Sequence, residues 1–314
     1  MRIALLAVDG LFDSGLTAVL DILATANALR AETGVEAAFH VVPVGVGDSV
    51  TTHHGMRLAV TPLAEVAEAL DLVIMSAVGF RPPDQVIDAV RGHAVLEWVT
   101  SFHNQGIPLA AACSGTFFLA EAGVLDGVTA TTSWWLGRAF RSRYPRVDLD
   151  ESCTTAHDQR VLTAGAAFAH IDLALAIVRR QSPALATLVA RYLLIDDRPT
   201  QAIYAIPAAL AAQDPIVLAF ERWLRDHLAE PLRLSRAAQH IGVSERTLQR
   251  ATSAALGFSP VEFAQEVRLD HAMFLLRTTQ MSTELIANAV GYQSASTLRG
   301  LIKRRRGVGV ADLR

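Results

Sequence analysis

The chain has 314 residues, 51% of them apolar, and a formal net charge of −3. That length allows two domains with separate cores, and the composition argues against disorder. No window reaches the roughly 20 apolar residues that cross a bilayer, and two cysteines, Cys113 and Cys153, form neither a disulfide framework nor a zinc-site spacing. Asp9, Asp13 and Asp21 interrupt the apolar start, so it does not read as a secretory leader. A soluble, cytoplasmic protein is expected, with no metal or cofactor.

The first part alternates strands and helices. Ile3–Val8 reads as a buried strand and Leu16–Leu29 as a helix. Val41–Val44 is a second strand, Leu63–Ala69 a helix, and Leu72–Ser76 a third strand. Ile107–Ala112 runs into Cys113-Ser-Gly115, and Thr116–Ala122 is helical. Val161–Ala164 and Ile171–Arg180 close the pattern. Such alternation predicts a mainly parallel sheet covered by helices on both faces.

The prolines around 196–213 mark a linker, which divides the chain into domains 1–195 and 214–314. Asp214-Pro215 supplies an N-cap and a first-turn proline for a helix buried along Val217, Phe220, Leu224 and Leu228 and ended by Pro231. Charge divides near the same place. Residues 216–314 carry 14 Lys+Arg against 9 Asp+Glu, and residues 1–215 carry 14 against 22. A basic end joined to an acidic end fits one polyanion-binding domain and one with another task, although charge alone leaves chance variation open.

The last hundred residues contain one pattern twice. Ala238-Gln-His-Ile241-Gly242-Val-Ser244 with Leu248 and Ala251 is followed by Ala287-Asn-Ala-Val290-Gly291-Tyr292 with Leu298 and Leu301. The copies are offset by 49 residues at the first glycine. Each copy predicts a short helix, a glycine turn and an amphipathic helix, which is a helix-turn-helix. After the Ser244 cap, Arg246, Gln249, Arg250 and Ser253 share one face. Arg and Gln have the donor geometry to read guanine and adenine edges, but any amphipathic helix has a polar face. The second copy shifts that balance toward DNA. It exposes Ser296, Thr297, Arg299 and Lys303, and Lys303-Arg-Arg-Arg306 is expected to hold phosphates. Between the copies, Ser259-Pro260-Val-Glu262 predicts a capped helix of roughly 25 Å.

The stretches LSRAAQHIGVSERTLQR, GFSPVEFAQEVRLDHAMFLL and IANAVGYQSASTLRGLIKRRRG resemble the DNA-binding domain of AraC/XylS-family transcription regulators. The resemblance implies double-stranded DNA and RNA polymerase as partners, with Arg246, Gln249 and Arg250 facing bases and Ser296 and Thr297 at the second site. This chain departs from the family at Gly300, where a basic residue is common, so its second unit is expected to read sequence poorly.

Strand–Cys113-Ser-Gly–helix has the form of a nucleophile elbow, where the helix field lowers a thiol pKa and free N–H groups can hold an anion. A small residue at a tight junction would explain it equally. The stretch AACSGTFFLAEAGVLDGVTATTSWW resembles the DJ-1/PfpI branch of the glutamine amidotransferase-like fold, which implies a flavodoxin-like α/β first domain ahead of the all-α one. The resemblance places Cys113 at the elbow and Asp21 near the family's acidic position. Ser114 and Ser133 stand where a base would be expected, so the pocket is expected to bind rather than react.

Asp21, Gly79, Cys113, Ser114, Ser133 and Trp134 are the expected lining, with an amino-acid-like or amine effector. His53, His54, His103, His157 and His170 are expected to be surface or packed residues. The leading expectation is a homodimeric, effector-responsive activator. The alternatives are a cysteine hydrolase or hydratase using Cys113 and Asp21, and a redox sensor.

Overall fold

The computed structural model describes every residue except 67, 68, 80, 81, 197, 199, 202–206, 208–210, 212, 213, 257, 258 and 314. The chain forms two compact units, Met1–Gln201 and Ala202–Arg314. Most of the expected linker at 196–213 lies outside the described residues. No described helix is long and apolar enough to cross a membrane.

The strands of the first unit are β1 (Arg2–Leu6), β2 (His40–Gly45), β3 (Ser49–Thr51), β4 (Arg57–Ala59), β5 (Thr61–Pro62), β6 (Leu72–Met75), β7 (Leu109–Ala112), β8 (Thr129–Ala130), β9 (Asp148–Leu149), β10 (Thr155–Asp158) and β11 (Val161–Ala164). Its helices are α1 (Asp13–Leu29), α2 (Pro83–Val90), α3 (Val95–Asn104), α4 (Gly115–Glu121), α5 (Gly137–Arg143), α6 (Ala169–Gln181) and α7 (Pro183–Tyr192). Seven strands form the main sheet in the order β10-β11-β7-β6-β1-β2-β5. All are parallel except β10, which pairs antiparallel with β11.

The two-residue period of a strand divides the interior. Ile3, Leu5, Ile74, Ala110 and Leu162 face a core shared with α1, α6 and α7. Ala4, Leu6, Met75, Leu109 and Ala111 face the opposite core, filled by Val99, Phe117, Phe118 and Phe140. A sheet covered on both faces explains why its strands are continuous apolar runs.

Leu63–Ala69 does not form the expected helix. A single 3-10 turn spans Leu63–Glu65 and Val66 leaves helical geometry at ψ 87°, while residues 67 and 68 lie outside the described ones.

The second unit is helical: α8 (Pro215–Asp226), α9 (Leu234–Ile241), α10 (Glu245–Leu256), α11 (Pro260–Thr278), α12 (Thr283–Ala289) and α13 (Ala295–Arg306). Asp214 caps α8 by accepting from the N–H groups of Ile216 and Val217. The helix stops at Asp226, five residues before Pro231. Val217, Phe220, Leu224 and Leu228 are buried against Leu248, Phe263 and Val267. A second small core joins Leu269, Met273 and Leu276 of α11 to Ile286, Leu298 and Ile302. Thus α11, 19 residues and about 28 Å long, contributes to both cores.

Candidate functional site

Cys113 closes β7 with a φ of +56°, in the left-handed region that side chains with a Cβ avoid at a cost of about 1–3 kcal/mol. Its surroundings hold it there. The Cys113 N–H donates to Gly165 O at 2.8 Å and Ala164 O at 3.0 Å. The Thr132 hydroxyl donates to Cys113 O at 2.7 Å, and the Ser114 hydroxyl to Val78 O at 2.9 Å. Gly115 is required by space, since a Cβ there would lie 2.9 Å from Met75 O. The elbow expected from sequence is therefore a strained turn.

Its electrostatics oppose reactivity. Burial pushes the Cys113 thiol above its ordinary range, and hydrogen bonds from Ser133 and Ser114 only partly offset it. The Ser133 hydroxyl is 3.0 Å from Sγ. Among the described residues the side-chain partner of the sulfur is a serine, not a histidine. The elbow N–H of Cys113 is committed to backbone carbonyls, so the expected free anion cradle is not formed by that group.

The remaining expected residues divide. Ser114 and Ser133 are buried beside Cys113 and Trp134 is half-buried next in the chain, its ring edge-on to Trp135 with centroids 5.4 Å apart. Gly79 does not offer its N–H, which donates to Gly10 O at 2.8 Å. The glycine is needed there because a Cβ would lie 2.2 Å from the His53 ring.

Asp21 is exposed on α1 and is not among the buried residues around Cys113. The buried carboxylate of that helix is Asp13, 7% exposed, in its first turn. His54 Nδ1 lies 2.8 Å from Asp13 Oδ2. Burial raises the Asp13 pKa, but hydrogen bonds from Thr52 and His54 outweigh it and hold the carboxyl below its usual range. Asp13 comes after β1 and Cys113 after β7, and the chain beyond β6 touches both neighbourhoods: the Phe12 N–H donates to Ala77 O at 2.7 Å and the Ser114 hydroxyl to Val78 O at 2.9 Å.

His170 is the packed histidine. Its imidazole lies on α1 at Gly15, where a Cβ would be 2.8 Å from the ring, and burial pushes its pKa down to about 4. His53, His54, His103 and His157 are exposed. The cue that sequence reasoning missed was Gly15, a helix-interior glycine whose lack of a side chain admits that ring.

In the second unit, Gly242 and Gly291 both adopt φ +79° in the two turns, as a left-handed helix end requires. Ser244 and Ser294 accept from the N–H groups of Thr247 and Thr297 and cap the helices that follow. Arg246, Gln249, Arg250 and Ser253 are exposed on α10 over a buried Leu248, Thr252 and Ala255. On α13, Ser296, Thr297, Arg299 and Lys303 are exposed over buried Leu298 and Ile302, with Leu301 half-buried.

The cationic run 303–306 does not act as one patch. Arg306 is 2% exposed and forms an ion pair with Glu266 of α11. Arg305 also reaches Glu266, at 3.6 Å. Helical geometry turns half of the run inward and leaves Lys303 and Arg304 to solvent.

Residues 1–180 match the DJ-1/PfpI family. The chain belongs to the DJ-1/PfpI family. Residues 237–314 match a helix-turn-helix domain, so this DJ-1/PfpI protein carries an AraC-type module at its C-terminal end. It is 29% identical to the HTH-type transcriptional regulator CdhR of Pseudomonas aeruginosa, over 93% of this chain and 84% of that one. It is 26% identical to the HTH-type transcriptional regulator GlxA of Rhizobium meliloti, over 85% of this chain and 82% of that one. The crystal structure of an AraC family transcriptional regulator from Pseudomonas putida superposes with a TM-score of 0.52 at 25% identity, covering 61% of this chain and 98% of that one.

Proposed function

We propose that this protein is a sequence-specific DNA-binding transcription regulator whose DJ-1/PfpI unit senses a small molecule. The observation that carries the reading is the pair of capped helices α10 and α13. Each follows a left-handed glycine turn and presents a polar, basic face over a buried apolar one. Arg246, Gln249, Arg250 and the Ser244 cap contact one groove segment, and Ser296, Thr297, Arg299 and Lys303 the next. The protein acts as a cytoplasmic homodimer that recruits RNA polymerase as an activator.

The pocket binds without turnover. A neutral, buried thiol hydrogen-bonded to serine lacks both a thiolate and a base, which cysteine catalysis needs. This favours a sensor over a hydrolase. The ligand meets Cys113, Ser114, Ser133 and Trp134, with Asp13 rather than Asp21 as the acidic anchor for an amino-acid-like or amine effector.

Gel retardation with the protein's own upstream DNA tests the regulator reading. Retention is expected at low salt, with affinity falling steeply as salt rises. Loss of retention in Arg246→Ala with Arg250→Ala, and unchanged retention in Cys113→Ser, are the expected outcomes. No retention by the parent protein at low ionic strength would overturn it.

A further inference from the structure

Gln201 is the last residue of the first compact unit, one peptide bond before the second begins. A glutamine at a domain end is ordinarily solvated, yet Gln201 is 3% exposed. Its Nε2, with two hydrogens, donates to Thr132 O at 2.8 Å and Cys153 O at 3.1 Å, and shares a hydrogen with Thr131 Oγ1 at 3.2 Å. Its Oε1 accepts from the Ala166 N–H at 3.1 Å. The Gln201 N–H donates to Ser152 O at 3.0 Å, and the Thr200 hydroxyl donates to the same carbonyl at 2.7 Å. Gly165 makes the room, since a Cβ there would lie 2.5 Å from the amide.

Two of the three segments gripped by this side chain are those that hold the elbow. Thr132 bonds to Cys113 O and Ser133 to Cys113 Sγ, while Gly165 O accepts from the Cys113 N–H. Displacement of either segment would break bonds to the Gln201 amide. A buried amide with part of its partners gone is costly, so the arrangement favours two states, all bonds made or the side chain withdrawn.

We propose that Gln201 is a latch joining the Cys113 elbow to the end of the first unit. It is seated while Thr131–Ser133 keeps its present place and withdrawn when a ligand at Cys113 moves that loop. The proposal rests on the regulator reading only in placing the ligand at Cys113. It makes Gln201 a positioning residue for the Thr131–Ser133 loop at the boundary between the two units.

The test uses the full chain and two reciprocal readouts, because coupling between sites must be mutual. In a Cys153→Ser background, Gln201→Leu is expected to speed iodoacetamide labelling of Cys113 by roughly tenfold or more, from the loss of several hydrogen bonds. With Gln201 intact, labelling Cys113 is expected to raise amide hydrogen exchange at Gln201 and Ala166 while distant core amides keep their protection. This second arm needs no substitution at position 201, so it stands even where Gln201→Leu fails to fold. If labelling leaves exchange at Gln201 and Ala166 unchanged, or a folded Gln201→Leu labels at the parent rate, the latch is overturned. Neither readout involves DNA, so such a failure leaves the regulator reading to its own test.

Discussion

The Arg268 guanidinium of α11 lies over the Tyr292 ring, 6.0 Å from its centroid, and also donates to Glu230 O. Glu230 lies in the turn between α8 and α9, and Tyr292 in the turn between α12 and α13, so one side chain ties the segment that leads into the first helix-turn-helix copy to the turn of the second. The approach is tight, since a Cβ at Gly291 would lie 2.5 Å from Leu228 O. Arg268→Ala is expected to cost roughly 2–3 kcal/mol of stability by removing the cation–π interaction and the charged hydrogen bond. Arg268→Lys should recover little of it, because an ammonium lacks the planar fork. Thermal or urea unfolding of the full chain reads both.

Arg306 and Lys303 share a helix but should fail differently. Removing Glu266 strands the buried Arg306 charge, so Glu266→Met is expected to destabilise by about 3–5 kcal/mol, and Arg306→Met by less because Arg305 still reaches Glu266. Replacing both residues by apolar ones should restore most of that loss. Lys303→Ala and Arg304→Ala should leave stability nearly unchanged and instead flatten the salt dependence of DNA binding, by about 0.9 in log–log slope for each phosphate no longer neutralised. A double-mutant cycle and a salt titration separate the two roles.

Gly300 is exposed on α13 and a Cβ there meets nothing within 4 Å. Gly300→Ala is therefore expected to stabilise the second unit by about 1 kcal/mol, the ordinary helix cost of glycine. Gly300→Lys, between Arg299 and Lys303, should do the same and also tighten DNA binding at low salt. Unchanged affinity in Gly300→Lys would place that face of α13 away from the phosphates.

Acid should loosen the first unit through His170. Its folded pKa of about 4 lies below the ordinary 6.5, because burial disfavours the imidazolium. Between those values the unfolded chain binds the extra proton, so stability falls as pH drops from about 6.5 to about 4. The total contribution is about 3 kcal/mol. Its Nδ1 hydrogen-bonds Ala167 O, which favours the tautomer with Nε2 unprotonated. His170→Gln should flatten the stability–pH profile in that window, as measured by urea unfolding at a series of pH values.

Much of the fold is legible in the amino-acid order alone. Apolar strand runs, serine caps and paired glycine turns are local signals, each set by residues within a few positions of one another, so β1, β2, β7, β11, α10 and α13 are readable. The Leu63–Ala69 stretch misleads because its helical spacing takes no account of Val66 leaving helical geometry ahead of β6. Asp21 misleads in a different way. Nearness in sequence to an expected acidic position does not say which carboxylate on a helix faces inward.

The sequence by itself determined the two-part plan, the elbow at Cys113 and the doubled DNA-reading module, because periodicity, capping and turn chemistry are short-range. Only the tertiary structure decided which polar groups are spent. It buries Asp13 and exposes Asp21, commits the Gly79 N–H to Gly10, folds Arg306 onto Glu266, and draws Gln201 into the loops around the thiol. Those outcomes depend on contacts between residues tens of positions apart, where burial and hydrogen-bond satisfaction, not local preference, set the energy.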